Sequence, residues 1–413
     1  MKRIAALIAL AGIVSIALAA DWPQYMGPNR DNTSPETKLA DKWPDGGPKV
    51  LWQYDKLSKG IGGAVIRDGK VYVMDRVKDE QDVVVCLDLA KGTKEWEFAF
   101  DAPGKWSGGY GGARNLPAVD DKHIFVIGAM GHLHCIDLKE HKSVWSVDLV
   151  KTYESTVSNW GFCQSPVLHK DTVIVAPLGK TAGVVAFDKA TGKEAWKTPK
   201  LGGIAWTSPM IAKIGDVEQV LVLHTRDQPR LNGVDAASGK VLWEYKGWKC
   251  ANPIPSPMSI GDGRIFLAGG YNAGCAMVKV TRDGDKWEVA ELFQNKNLGT
   301  KAVNPVLFEK HIYANSADNK NGLMCMDLDG NVKWKTEEKN LEELGSVIIA
   351  DGKIYNLLSE KATLRMAKAT PDEFKELDTA TVMEGKNNWA PAAMADGKLI
   401  VRYRNVVKCL EIK

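Results

Sequence analysis

A tryptophan eight residues after an aspartate recurs along this chain of 413 residues, and that spacing restricts the fold more than any other feature. The segments run from Asp88 to Trp96, Asp137 to Trp145, Asp188 to Trp196 and Asp235 to Trp243, with a fifth, Asp327 to Trp334, one residue tighter. Each reads as a strand ending at the aspartate, a turn such as Ala190, Thr191, Gly192, Lys193, and a second strand carrying the tryptophan. The turn glycine supplies the positive φ that such a hairpin needs. Upstream of each hairpin a polar turn precedes a β-rich run. Eight such turns start at Asp68, Asp121, Lys170, Gly215, Asp262, Glu309, Asp351 and Asp396, 42 to 53 residues apart. That spacing accommodates four short strands per unit, which predicts an all-β, eight-bladed β-propeller of four-stranded antiparallel blades. No helical periodicity is evident beyond the N-terminal residues.

The last repeat ends near Cys409, Leu410 and Glu411 with no tryptophan strand after it, and the missing strand is found at the other end of the chain. Residues 49–54, Lys-Val-Leu-Trp-Gln-Tyr, match residues 240–245 in five of six positions. The N-terminal strand is therefore expected to complete the last blade and to remove the open edges of a linear stack. Ahead of it, Lys2 and Arg3 precede an apolar run from Ile4 to Leu18 and the small residues Ala17 and Ala19, the pattern of a cleaved signal peptide. The expected organisation is a signal peptide over 1–19 and one propeller domain over 20–413, giving a periplasmic or secreted protein with no membrane span. The run is too short and wrongly flanked for a permanent span. A formal charge of +3 gives no support for a nucleic-acid partner.

Seven cysteines in an exported chain raise the question of disulfides. Cys86, Cys135, Cys325 and Cys409 fall at one equivalent place in four repeats, which the repeat geometry holds apart, so they are expected to be small buried apolar residues. Cys163, Cys250 and Cys275 are left unassigned.

The hairpins from Ala186 to Trp196 and from Gly233 to Trp243, strand-Asp-x-x-x-Gly-Lys-x-x-Trp, resemble the pyrroloquinoline-quinone (PQQ) repeat, and the resemblance covers the chain from about Trp22 to its end. Residues 21–30, Asp-Trp-Pro-Gln-Tyr-Met-Gly-Pro-Asn-Arg, look like the opening of secreted bacterial PQQ-like propellers. The resemblance implies an eight-bladed ring with tryptophans docked between blades. It does not decide function, because the fold is shared by quinoprotein alcohol dehydrogenases and by the scaffold lipoprotein of the outer-membrane β-barrel assembly machinery. A dehydrogenase needs a quinone on an aromatic surface, a divalent cation on hard oxygen ligands and a carboxylate base. Such relatives also carry an adjacent cysteine pair. This chain has neither a Cys-Cys pair nor a Cys-x-x-Cys-His haem motif.

Candidate axial residues lie where each innermost strand begins, beside Asn115-Leu-Pro117, Gln164-Ser-Pro166, Thr207-Ser-Pro209, Pro255-Ser-Pro257 and Val303-Asn-Pro305. Arg114, Trp160, Trp206, Asn252 and Trp389 are the candidate ligand-binding set, with Tyr110 and Asn388 nearby. They form either a funnel with stacking faces and an arginine for an anion, or aromatics filling blade interfaces around strands started by serine and proline. Other motifs favour structural roles. The repeated aspartates are expected to fix turns rather than to catalyse. His132 and His134 share a strand face without further zinc ligands. The glycines at 108, 109, 111 and 112 lack the helix and Lys-Ser/Thr of a phosphate loop and suggest a flexible approach to the second blade. Two functions remain open. The favoured one is a binding or scaffold propeller for a protein or polymer, with no metal; the alternative is an alcohol dehydrogenase using PQQ with calcium.

Overall fold

The computed structural model describes residues 21–109, 111–203, 205–224, 230–316, 318, 321–337, 345–359, 362–385 and 388–413. Residues 1–19, expected to be a signal peptide, and Tyr110 lie outside the described residues. Eight sheets account for nearly all regular structure: blade 1 over 64–101, blade 2 over 118–148, blade 3 over 167–197, blade 4 over 210–245, blade 5 over 258–295, blade 6 over 306–337, blade 7 over 347–381 and blade 8 over 393–411. Blades 1 to 7 each contain four antiparallel strands in chain order, blade 7 with a short parallel strand, Thr33–Ser34, added at its inner edge, and blade 8 contains three that an N-terminal strand completes; first strands of neighbouring blades lie together, which puts them on the axis. The strand Val50–Tyr54 pairs antiparallel with Val406–Glu411 as the outermost strand of blade 8, with Trp52 opposite Cys409. The expected closure is thus the observed one. A single helical turn, Leu149–Thr152, capped by Asp148, is the element that the sequence patterns did not indicate.

Why the Asp-to-Trp hairpin repeats is explained by how blades touch. Each aspartate caps its own turn: Asp88 accepts from the backbone of Ala90 and Lys91, Asp137 from Lys139 and Glu140, and Asp235 from Ala237 and Ser238. Three of the turns then present a glycine on which the preceding blade's indole lies, whereas the Asp137 turn presents His141, stacked on Trp96 at 4.4 Å. A Cβ on Gly92 would sit 2.4 Å from Trp52, one on Gly192 2.5 Å from Trp145, and one on Gly239 2.6 Å from Trp196. The indole N–H reaches across to the same turn, donating to Leu89 O at 2.8 Å, Lys189 O at 2.9 Å and Ala236 O at 3.1 Å respectively. An amphipathic ring thus buries its face and satisfies its one donor in a single contact.

Two features of the neighbouring strands follow from the size of the indole. The residue opposite each tryptophan is small: Cys86 faces Trp96, Cys135 faces Trp145, Ala186 faces Trp196, Gly233 faces Trp243, Cys325 faces Trp334 and Cys409 faces Trp52. Second, the pairing of the outermost strand shifts by one residue in all eight blades, immediately before the tryptophan or its counterpart. Such a β-bulge re-aims the side chains on either side of it. The bulged residue is turned outward, which leaves Val144 and Leu292 exposed while Trp145 and Phe293 face the next blade. Phe293 takes the indole's place in blade 5, against Gly330. The shorter Asp327 hairpin keeps its bulge and loses its residue from the turn, which closes from Asp327 N to Asn331 O, where blade 1 closes from Asp88 N to Thr93 O.

The apolar core is distributed as layers between adjacent blades rather than as one centre. The axis is occupied from one side by the segment from Trp22 to Ser34. Trp22 bridges to Ile66 of blade 1, Pro23 O accepts from Val119 of blade 2, and Arg30 donates to Pro166 O (3.4 Å) and Pro209 O (3.0 Å) of blades 3 and 4. Tyr25 and Met26 meet Asn304 of blade 6, and Thr33–Ser34 runs parallel to blade 7. A segment this short reaches so many blades only by crossing their common axis. Burial of the Arg30 guanidinium lowers its pKa to about 10.

Gly192 and Gly69 share a backbone conformation, φ +70° and +71°, but only Gly192 lies under an indole. Gly69→Ala should cost about 1–2 kcal/mol from the left-handed backbone alone. Gly192→Ala should cost about 1–3 kcal/mol more from overpacking against Trp145. Urea midpoints at unchanged slope measure the difference, and equal losses would remove the indole contact as the cause.

Candidate functional site

The strand-opening Ser-Pro segments divide into a structural part and a lining part. Proline opens an innermost strand without losing a ladder hydrogen bond, since it has no N–H to offer. The residue before it joins neighbouring blades: Leu116 N donates to Ser165 Oγ at 3.0 Å, Ser165 N to Ser208 Oγ at 2.9 Å, and Ser256 N to Asn304 Oδ1 at 2.6 Å. In the seventh and eighth blades Ala392 N donates to Ser346 Oγ at 3.1 Å. These side chains form a belt around the axis, so the structural reading of serine and proline is the observed one for these positions.

Above the belt, opposite the N-terminal segment, the first strands open into a cavity of about 190 Å³. Its wall follows the period of two of an extended chain. The residues three before the strand prolines, Arg114, Cys163, Trp206, Ile254 and Ala302, all line it, as do Leu116, Ser165 and Ser208 one before. The five candidates Arg114, Trp160, Trp206, Asn252 and Trp389 are all brought to this cavity. Asn388 is not among the lining residues; it is buried, and its N–H donates to Ser359 O at 3.3 Å. Tyr25 provides the floor from the N-terminal segment, and Tyr271 and Lys301 complete the rim.

Among the polar and aromatic lining residues, Lys301, Tyr25 and Tyr271 had not been singled out. Lys301 lies four before Pro305, one residue off the place that finds Arg114 and Trp206, which in blade 6 is held by Ala302. Tyr25 sits in the opening decapeptide, which carries the family likeness but no periodic signal. Tyr271 lies between the second and third strands of blade 5 at φ +60°, beside Asn272 at φ +62°. Nothing in the local pattern marks that loop.

The cavity's electrostatics are set by two cations held against aromatic faces. Arg114 lies over Trp160 at 5.5 Å and Trp106 at 6.0 Å, and Arg76 lies on Trp106 at 5.2 Å, giving a ladder of alternating guanidinium and indole. Lys301 lies over Tyr271 at 5.5 Å. Such contacts orient a cation at the mouth of an apolar pocket. Burial lowers the pKa of Arg114 below the ordinary guanidinium value. Burial raises Tyr25 to about 12, and raises the Cys163 thiol to about 11 against the pull of Arg114. Trp206 donates to Ser158 Oγ at 3.0 Å, which fixes its indole, whereas Trp160 is 37% exposed at the mouth. None of the described lining residues is Asp or Glu.

The glycine run at 108–112 differs from its expected role. Gly108 N donates to Asn159 O at 2.7 Å, a Cβ on Gly109 would meet Trp160 at 2.5 Å, and one on Gly112 would meet Lys59 O at 1.7 Å. Those glycines permit close packing beside the cavity mouth instead of a flexible approach. All seven cysteines are free; six are fully buried, and Cys163, facing the cavity, is partly buried. His134 is wedged 4.2 Å from the ring of Phe100 and shares a hydrogen bond of 3.2 Å with Ser143. Among the described residues no three His, Cys, Asp or Glu side chains converge on a metal-sized site.

A family model described as "Outer membrane protein assembly factor BamB" matches residues 43–150 and 129–370. The chain belongs to that family of PQQ-repeat propellers. No curated protein matches it by sequence. Among solved structures it is similar to a europium-containing methanol dehydrogenase, at 12% identity and a TM-score of 0.65, over 92% of this chain and 89% of that one. It is similar to BamB from Moraxella catarrhalis, at 14% identity and a TM-score of 0.59, over 88% and 98%. A quinohemoprotein alcohol dehydrogenase from Comamonas testosteroni aligns at 14% identity and a TM-score of 0.67, over 95% and 80%. At these identities the likeness to solved structures is one of fold, shared by assembly factor and dehydrogenases alike. Among the described residues no helix is long and apolar enough to cross a membrane.

Burial holds the pKa of His134 at about 4 instead of 6.5. Between those values the unfolded chain binds a proton that the folded ring refuses, so stability is complete above pH 6.5 and falls as pH drops towards 4. At ~1.4 kcal/mol per pH unit the loss approaches about 3 kcal/mol. Unfolding of the wild type and His134→Leu at pH 7 and pH 4.5 should show a smaller acid loss in the variant; equal losses would place the acid sensitivity elsewhere.

Proposed function

We propose that this protein is a non-catalytic binding propeller, exported to the periplasm or beyond, whose axial funnel receives a small molecule and whose outer surfaces meet a protein or polymer partner. The observation that carries this reading is the funnel's composition, in which aromatic faces and two cations are combined, among the described lining residues, with no carboxylate. The family description, an outer-membrane protein assembly factor, supports the partner half of the proposal.

The family's other branch implies PQQ with calcium, and the lining residues fit that pair in part. Trp160, Trp206 and Trp389 would stack on a planar ring, and Arg114 and Lys301 would meet its anionic groups. Asn252 offers an amide oxygen, but no carboxylate, either to hold calcium or to take a substrate proton, is among the described lining residues. Cys163 faces the funnel without a second thiol beside it. The residues therefore do not fit a quinone redox centre, and no step through one is derived.

Titration with PQQ, with and without calcium, should test this while the thermal midpoint and dye reduction with an alcohol are followed. A ligand specific to the folded state must raise the midpoint. No calcium-dependent shift and no alcohol-dependent dye reduction are expected. A saturable shift requiring calcium, with alcohol turnover, would replace the binding reading by the dehydrogenase.

A further inference from the structure

We infer that the face on which the funnel opens docks on the surface of an anionic lipid bilayer, through lysines in the loops around the mouth and the exposed rings of Trp160 and Tyr271. This goes beyond the binding reading above and rests on it only for export from the cytoplasm.

The two ends of the ring differ in charge because they are built from different turns. Each first strand runs away from the funnel, so antiparallel pairing returns the chain to the funnel end after the second and fourth strands and leaves the other two turns at the far end. The far turn between first and second strands contains an Asp or Glu in every blade, from Asp68 in blade 1 to Asp396 in blade 8. Four loops that lead from one blade onto the funnel wall of the next, residues 102–117, 198–209, 246–257 and 296–305, contain none. Every charged residue in them is Lys or Arg, and Lys105, Lys200, Lys246, Lys249 and Lys296 are exposed. Three of those loops are consecutive, so the funnel face from blade 3 to blade 6 is a basic sector, while the far end mixes both signs. Some of these cations have partners: Lys246 lies 3.3 Å from Glu244, Lys105 3.9 Å from Asp79, and Lys296 donates to the carbonyls of Asn272 and Ala273. Lys200 and Lys249 have no ion pair among the described residues, and they carry the argument. Each lysine that reaches an anionic surface strengthens attachment about 5-fold, and the attraction fades over a Debye length.

The exposed rings favour a bilayer over an acidic protein. Trp160, 37% exposed, is the one tryptophan that is neither buried nor half-buried. Tyr271, 48% exposed, stands in a loop that positive φ at Tyr271 and Asn272 turns at the funnel end of blade 5. Both lie at the rim beside the lysine loops. The other exposed large apolar side chains, Val50, Val144, Leu292 and Val332, are spread over the outermost strands of four blades. An indole or a phenol, with an apolar body and a polar edge, settles among lipid headgroups, and lysine stems lie along the apolar layer with their charges at the phosphates. A protein partner draws its affinity from anchors clustered in one desolvated patch. Here the two rings stand apart around an open cavity, an arrangement that a fluid surface can meet and a rigid one cannot.

Sedimentation of residues 20–413, which contain the whole described propeller, with phosphatidylcholine vesicles and with vesicles of equal parts phosphatidylcholine and phosphatidylglycerol tests the proposal. Binding should require phosphatidylglycerol and should be released by high salt. Lys200→Gln and Lys249→Gln should each weaken it about 5-fold and together about 25-fold. Lys91→Gln and Lys193→Gln, exposed at far turns, should leave it unchanged. Thermal midpoints equal to that of the wild type check that the variants fold. Bromine-labelled acyl chains should quench part of the tryptophan fluorescence, and Trp160→Phe should remove that part, which lysine contacts alone would not give. Absence of binding to the anionic vesicles, equal binding to the neutral ones, equal losses from the far-turn variants, or binding without quenching would each overturn the docking. Binding to soluble poly-L-glutamate but not to vesicles would overturn it in favour of an acidic protein. None of these outcomes bears on the funnel reading, which fails only by calcium-dependent alcohol turnover in the PQQ titration.

Discussion

The contact on which this structure depends is an indole of one blade laid on a turn glycine of the next, with its N–H bonded to that same turn. A blade alone is a small twisted sheet with two apolar faces and cannot bury either of them. The indole sets both the distance and the angle at which the next sheet must stand. It explains the aspartate that holds the turn in shape, the glycine that leaves room, the cysteine, alanine or glycine opposite the ring, and the bulge that aims it sideways. Because the core consists of layers between blades, the stability of every sheet is shared with its neighbours, and a defect at one junction is felt at two blades.

Much of this was legible because it is repeated. Asp88, Asp137, Asp188 and Asp235 can be recognised as turn formers from their recurrence alone, and the equivalence of Trp52 with Trp243 shows how the ring closes before any coordinates are seen. The bulge was not legible, since it changes hydrogen-bond pairing without requiring a particular residue; Val144 and Leu292 look like ordinary strand residues until their exposure is known. Arg114, Trp160, Trp206, Asn252 and Trp389 could be gathered because each lies in the short approach to a strand proline, Arg114 and Trp206 at the same place in it. Lys301 lies in the same kind of approach, beside the position that Ala302 holds, while Tyr25 and Tyr271 come from segments outside the repeat, where periodicity gives no information. The glycines at 108–112 show the opposite limit: composition suggested mobility, but contacts with Lys59, Asn159 and Trp160 made them packing residues.

Structural and variable duties are separated within a few residues at each strand opening. Proline starts the strand, the serine or asparagine before it bonds to the adjacent blade, and the residue two earlier points into the funnel. The first two positions are bound by geometry and the third is not, so arginine, cysteine, tryptophan, isoleucine and alanine occupy it in five successive blades. An irregular, chemically specific cavity can therefore be built on a nearly regular ring. Preorganisation comes without extra machinery, since the belt below and the aromatic partners beside each cation fix the lining before any ligand is met.

Closure of the last blade by Val50–Tyr54 also has a bearing on how the molecule is made. Its partner strand Val406–Glu411 lies about 350 residues later. Synthesis at ~5–20 residues per second separates the two by roughly 20 to 70 s. Throughout that interval the first strand has no partner, and the growing array exposes an open sheet edge of the kind that invites pairing between chains. The two edges are covered only when Val406–Glu411 arrives, so the ring is completed by a strand that has waited through most of synthesis, and that late strand decides whether Val50–Tyr54 is ever held in place.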